Sequence, residues 1–304
     1  MKFHVEKRHI LIGLGAVLAP LAGGCGPAAI LDLSDTDSRA VFMVNEAPAG
    51  QNGGFDDEAV ETGVASATIS ANGTADIKYD TDKVHDMTGL VDQGGGLYTG
   101  PTGYAQVMPI ADVDQDGTQD DTFLVFTQNN PQSNQRTEYT YAYHGTRAPT
   151  DFIDTLRSND HKAQYTGGGS FRGAIGNDFI DMHGNLTMDV EFGGKTGDIQ
   201  GRIDNLTNYG ATPPVPIDDL TFAGALNDVN STADFAITDV ALNHAGAPLT
   251  TADGGVGAGS FFGPRAGGTI GVFTYSGALD AAVVPAKPRV NLMGAFHGST
   301  TDNN

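Results

Sequence analysis

The chain is poor in several things at once: it has one cysteine, no tryptophan, and 16 Lys+Arg against 37 Asp+Glu in 304 residues. A single thiol excludes an intramolecular disulfide, a Cys-rich zinc site and a thioredoxin-type pair. A net charge of −21 with so few bases excludes a nucleic-acid binder held by phosphate neutralisation, which needs clustered Lys/Arg. Glutamate is scarce too: only 6 of the acids are Glu and 31 are Asp. Asp favours turns and oxygen-ligand loops and is poor inside helices. What is plentiful is glycine, 42 residues without a triplet period, which excludes collagen and suits short strands joined by many turns.

The first residues read as an address. Lys2, Lys7 and Arg8 precede an apolar run from Ile10 to Leu21, and Ala22-Gly23-Gly24 lead to Cys25. This is the order of a secretory signal peptide, with an apolar run too short for a membrane-spanning helix. Leu21-Ala22-Gly23-Gly24-Cys25 resembles the bacterial lipoprotein box, which implies cleavage after residue 24 and lipid on Cys25. The expectation is an exported lipoprotein of the outer membrane and cell surface, with residues 1–24 as signal and 25–38 as a lipidated tether.

Residues 39–138 carry strand candidates at Ala40–Asn45, Val64–Ser70, Thr74–Tyr79, Tyr104–Ile110 and Thr122–Gln128, and read as a β-rich handle domain. Asn72-Gly73 between two alternating runs predicts a hairpin. Gly94-Gly95-Gly96 and Gln128–Gln135 read as breaks, the second as the domain boundary. Residues 139–304 carry eight strand candidates: Gln164–Ala174, Gly184–Phe192, Asp198–Asp204, Leu220–Leu226, Ala233–Val240, Gly257–Phe262, Thr269–Tyr275 and Asn291–His297. Leu186, Met188, Val190 and Phe192 alternate with Thr187, Asp189 and Glu191, one face apolar and one polar. The fold class is therefore all-β, a handle followed by an eight-stranded antiparallel up-and-down β-barrel, which removes sheet edges and has an interior that side chains can just fill. Residues 25–138 hold 19 acids and 4 bases, residues 139–304 hold 17 and 9, so the handle carries the stronger negative field.

Gly259-Ser260-Phe261-Phe262-Gly263-Pro264-Arg265-Ala266-Gly267-Gly268-Thr269, followed by Leu292-Met293-Gly294-Ala295-Phe296, resembles the closing hairpin of the β-barrel in the transferrin-binding protein B family. Tyr165-Thr166-Gly167 to Gly173, Leu186–Phe192, Lys195-Thr196-Gly197 and Ile199-Gln200-Gly201 are similar to that family's first three barrel strands. The resemblance covers about residues 139–300, and the chain has the length of one handle-plus-barrel lobe. It implies a surface lipoprotein, monomeric, that binds a ligand or carrier protein for acquisition of iron, haem or another metal from the host or environment. The competing class is a structural or adhesive envelope lipoprotein without a nutrient ligand. Phe261, Phe262, Phe273 and Phe296 are expected in the core.

One local motif suggests a cation. Asp112-Val113-Asp114-Gln115-Asp116-Gly117-Thr118-Gln119-Asp120 alternates oxygen ligands and places glycine sixth, as loops that wrap Ca²⁺ do. The expected ligands are Asp112, Asp114, Asp116 and Asp120 with the carbonyl of Thr118; Phe123 at the twelfth position departs from an EF-hand. The histidines are dispersed without catalytic-zinc spacing. His161 and His183, near expected loops, are the candidates for an axial haem ligand. Ser170 and Ser260 lie in no Gly-x-Ser-x-Gly, and no P-loop is present, so no enzyme is expected.

Overall fold

In the computed structural model, residues 39–45, 61–63, 65–69, 73–79, 84–109, 122–131, 137–193, 198–210, 213, 215–226, 233–250, 255–280, 288–300 and 302 are described. They form two antiparallel β units and one short helix. The first unit comprises β1 (Arg39–Asn45), β2 (Glu61–Gly63), β3 (Ala65–Ile69), β4 (Thr74–Tyr79), β5 (Met87–Asp92), β6 (Leu97–Thr99), β7 (Gly103–Pro109), β8 (Phe123–Asn129) and β9 (Thr137–His144). Its order is β2-β1-β9-β8-β7-β6-β5-β4-β3. The two terminal strands, β2 and β3, are separated in the chain by residue 64 alone. The sheet therefore bends round until both its ends lie in one run of nine residues.

After α1 (Thr150–Ser158) come β10 (Lys162–Ile175), β11 (Asp178–Glu191), β12 (Asp198–Asn208), β13 (Asp219–Leu226), β14 (Asp234–His244), β15 (Ala247–Pro248), β16 (Gly255–Phe262), β17 (Gly268–Ala278) and β18 (Arg289–Ser299). β10 pairs with both β11 and β18, and β13 pairs with β14, closing an eight-stranded barrel in which β15 only turns back on β14. All eight barrel strands overlap the segments whose period-2 alternation marked them, as does the β3–β4 hairpin, whose Gly73 takes φ +78°.

Three elements differ from the sequence reading. The Gln128–Gln135 break is not the change of sheet: Asn129 pairs with Glu138, so β9 returns beside β8, and the first sheet extends to His144. The division drawn at residue 138 thus cuts into the first unit. Gly94-Gly95-Gly96 (φ +85°, +64° and +76°) turns one short strand, β5, into another, β6, which three or six residues of weak alternation did not reveal. Finally, α1 follows Pro149, with Asp151 in its first turn and Arg157 in its last, and buries Ile153 and Leu156 with the barrel core.

The barrel interior is filled by rings. Tyr165, Phe171, Phe192, Phe222, Phe235, Phe261, Phe273, Tyr275 and Phe296 belong to one buried cluster, with Phe222 stacked on Phe296 at 4.6 Å between centroids. Glycine makes room for them: a Cβ at Gly201 would occupy the space of the Phe222 ring, and one at Gly271 that of Phe296. The abundance of glycine is in this respect a packing device, one strand withholding a side chain where its neighbour places a ring. Of the four expected core aromatics, Phe262 is buried on the outer side instead, facing the first unit.

Candidate functional site

The two units meet at a seam. Alternation along β17 and β18 puts Phe273, Leu292 and Phe296 inside the barrel and Ile270, Val272, Met293 and Ala295 outside, yet both sets are buried. The outer set packs against Leu124, Phe126, Tyr139, Tyr141 and Tyr143 of β8 and β9. A strand buried on both faces is an internal layer, so the barrel wall between β10 and β18 is sandwiched by its own core and the first sheet.

Polar groups are set into this apolar seam. Arg172 on β10 is 5% exposed, with its guanidinium carbon 3.8 Å from the centroid of the Phe126 ring. Its Nε donates to the Tyr141 hydroxyl at 3.2 Å, and its Nη2 lies 3.4 Å from Asp181 Oδ1. Tyr141 also shares a hydrogen bond with Ser170 Oγ at 3.1 Å, and Tyr143 one with Ser260 Oγ at 3.0 Å. Below them Arg147 pairs with Asp234 at 3.0 Å. Burial alone would lower the Arg172 pKa, but Tyr141 and Asp181 outweigh it and hold it raised. Burial likewise works to raise Asp181, and the His183 hydrogen bond and the Arg172 charge hold its carboxyl below the usual range. Tyr139 is pushed up to about 12 by burial. The seam thus fixes one cation and one anion and keeps its phenols neutral.

A small cavity opens here, lined in part by Met108, Phe126, Ser170, Arg172, His183 and His297, with a volume of about 20 Å³. That is room for one water. His183 Nε2 donates to Asp181 Oδ1 at 3.0 Å, and its ring meets Tyr209 edge-on at 5.0 Å. His161 lies instead before β10, its ring 6.3 Å from Phe192. His183 is opposite Ser170 on β10, eight residues from Lys162, so the two histidines are separated by about 27 Å of strand. They are not brought together, and the cavity beside His183 has no space for a porphyrin. Ser170 is engaged by Tyr141 and His183 by Asp181, and Ser170 and His183 stand opposite each other across β10 and β11.

A second polar group lies within the first unit. Glu138, 2% exposed, accepts from the His85 backbone N–H at 2.7 Å and from Asn129 Nδ2 at 3.3 Å, and its other oxygen is 2.7 Å from His85 Nδ1. It holds the segment before β5 to the β8–β9 hairpin. Nearby, Tyr79 hydrogen-bonds Thr127 at 2.8 Å, and burial pushes its phenol up to about 12.

Cys25 and the expected calcium ligands, the carboxylates of Asp112, Asp114, Asp116 and Asp120 and the carbonyl of Thr118, lie outside the described residues. The strands that bracket that loop, β7 and β8, pair as far as Pro109 and Phe123. Among the described residues no group of three His, Cys, Asp or Glu is gathered as for a metal ion, and no helix is long and apolar enough to cross a membrane. Arg172 and Asp181 were missed by sequence reasoning. The available signal was their placement on the same alternating face as Ser170 and His183, on strands whose other face is core.

No family model and no curated protein matches the sequence. Solved structures similar to it include the vaccine antigen Transferrin Binding Protein B of Haemophilus parasuis, at 14% identity over 81% of this chain and 46% of that one, with a TM-score of 0.43. The isotype 1 transferrin binding protein B of serogroup B Neisseria meningitidis is 14% identical over 88% of this chain and 44% of that one, with a TM-score of 0.48. A protein of unknown function from Nostoc punctiforme is 9% identical over 88% of this chain and 97% of that one, with a TM-score of 0.22. The chain spans less than half the length of those two transferrin binding proteins. Nothing about a ligand is carried over from these likenesses.

Proposed function

We propose that the chain is an exported, lipid-anchored binding protein that serves nutrient acquisition, holding haem, a metal-carrying protein or another host or environmental ligand on exposed loops of the first unit and the adjoining barrel rim. The observation that carries this reading is the filled interior. The barrel is packed with rings and the seam cavity has room for no more than about one water, so a larger partner meets the protein from outside, where loops present variable surface on a rigid scaffold. The signal pattern ending at Cys25 supports export and lipidation, and the acidic loop adds Ca²⁺ as a stiffener of the first unit. Firm anchorage at Cys25 requires more than one acyl chain.

The test has two arms. Cys25→Ser is expected to move the protein from the membrane to the soluble fraction and to remove the lipid mass from its N-terminus. The soluble chain, immobilised and exposed to host fluid or iron-limited medium, is expected to retain a partner, chromophore or metal, read by mass spectrometry, absorption and metal analysis. An unchanged membrane fraction overturns the anchor. A membrane-bound chain that retains nothing overturns the acquisition role and leaves the structural or adhesive one.

A further inference from the structure

We infer that the seam between the two β units is acid-labile, with His297 as the group whose protonation parts the first sheet from the barrel. His297 follows Phe296, whose ring is in the barrel core, and shares the outward face of β18 with Met293 and Ala295. On an isolated barrel this face would be wet. The docked first sheet narrows its access to water, leaving His297 partly exposed at a cavity bordered by Met108, Leu124, Phe126 and Tyr141 of the first unit.

The surroundings of His297 favour its neutral form. β10, paired to it through Gly168, carries Ser170 and Arg172 on the same face. β11 beyond carries Asp181 and His183, and Asp181 is already bonded to His183 and close to Arg172. β17, paired through Ile270, offers Val272 and Thr274 and no charge. From the first unit, β7, β8 and β9 bring Met108, Leu124, Phe126, Tyr104, Tyr139 and Tyr141, none of them an acid. The sequence of β1, which also runs over β17 and β18, contains no acid. Among the described groups the one carboxylate, Asp181, is already engaged, and Arg172 is a cation. A proton on His297 therefore puts a cation into an apolar layer beside like charge.

The direction follows by linkage. Burial lowers the His297 pKa in the docked form from its ordinary value near 6.5. The undocked form, with His297 hydrated, protonates first as pH falls below that value. Docking is at full strength above about pH 6.5 and weakens through the interval down to the depressed pKa, below which the loss is complete.

The experiment uses the soluble Cys25→Ser mature chain. Between pH 7.5 and 5, seam tyrosines are expected to become solvent-exposed by near-ultraviolet second-derivative spectra, and the radius of gyration to grow, while far-ultraviolet dichroism stays constant. His297→Gln should abolish the step or move its midpoint down by at least one pH unit. A variant midpoint equal to that of the parent, or a parent with no exposure down to pH 5, overturns the inference. If His297→Gln does not fold, imidazole NMR of the parent decides. A His297 titration that coincides with tyrosine exposure supports the assignment, and one that does not coincide overturns it.

Discussion

The barrel and the first unit solve the same closure problem with different interiors. The barrel closes by an unbroken hydrogen-bonded circuit of eight strands, most of them eight to fourteen residues long, around stacked Phe rings. The first unit is closed by shorter strands, some of three residues, around small and aliphatic side chains such as Ala75, Ile77, Leu90, Ala105 and Val125, with Glu138 buried among them. Ring packing resists deformation because Phe222, Phe235, Phe273 and Phe296 occupy space that opposing glycines leave. The first unit, with less apolar area per strand and polar bonds at Glu138, is the part that local changes can loosen. The barrel is thus the platform and the first unit the adaptable element, joined by a seam that belongs to both.

The comparison can be broken at its strongest point. Phe222→Ala, which removes the ring lying on Gly201 and stacked on Phe296, is expected to cost about 3–5 kcal/mol in denaturant unfolding. The loss should fall on the barrel transition; equal loss in both units would mean that they unfold as one. Arg172→Ala should cost about 3 kcal/mol by leaving Asp181 buried without its guanidinium. Its second signature is in acid. Asp181 now supplies stability that is present above the ordinary carboxylate pKa near 4 and lost as pH falls through its depressed value; without the guanidinium that interval narrows, so the variant should lose less in acid than the parent and the gap between the two should close as pH falls below about 4.

The first unit can be sharpened separately. If the acidic loop binds Ca²⁺, a 100-fold excess over the dissociation constant should stabilise it by about 2.7 kcal/mol, and Asp114→Ala with Asp116→Ala should remove the effect. Identical melting of the parent in Ca²⁺ and in chelator would dismiss the loop as a site. Smallest is Glu138→Gln, expected to cost about 1–3 kcal/mol because one oxygen must replace two that serve His85 and Asn129. Hydrogen exchange should accelerate around residues 84–92 and leave β16–β18 protected.

The barrel was legible because its strands are long, alternate cleanly and end in turn residues, so that Leu186 to Phe192 alone fixes a face. The eight strands follow from this pattern without any knowledge of what pairs with what. The seam was less legible, since it depends on a second covering for an outward face. Ile270, Val272, Met293 and Ala295 make β17 and β18 apolar on both sides, which signals a covered sheet but not its cover. Tyr139, Tyr141 and Tyr143 do show an alternating aromatic stripe, and the break before them drew attention from it. Arg172 and Asp181 meet across β10 and β11 through register, a long-range property that single-strand reading does not contain. β5 and β6 are too short for periodicity to rise above the glycines between them.

The run that carries β2 into β3 has a consequence for proteins packed side by side. Among the described residues its three-residue portion pairs with β1 and its five-residue portion with β4, so each leaves only a brief strand edge open. A neighbouring molecule seeking to extend the sheet would find no template long enough to zip onto. Copies lying side by side accordingly gain little from pairing at these edges, and their contacts there are left to side chains.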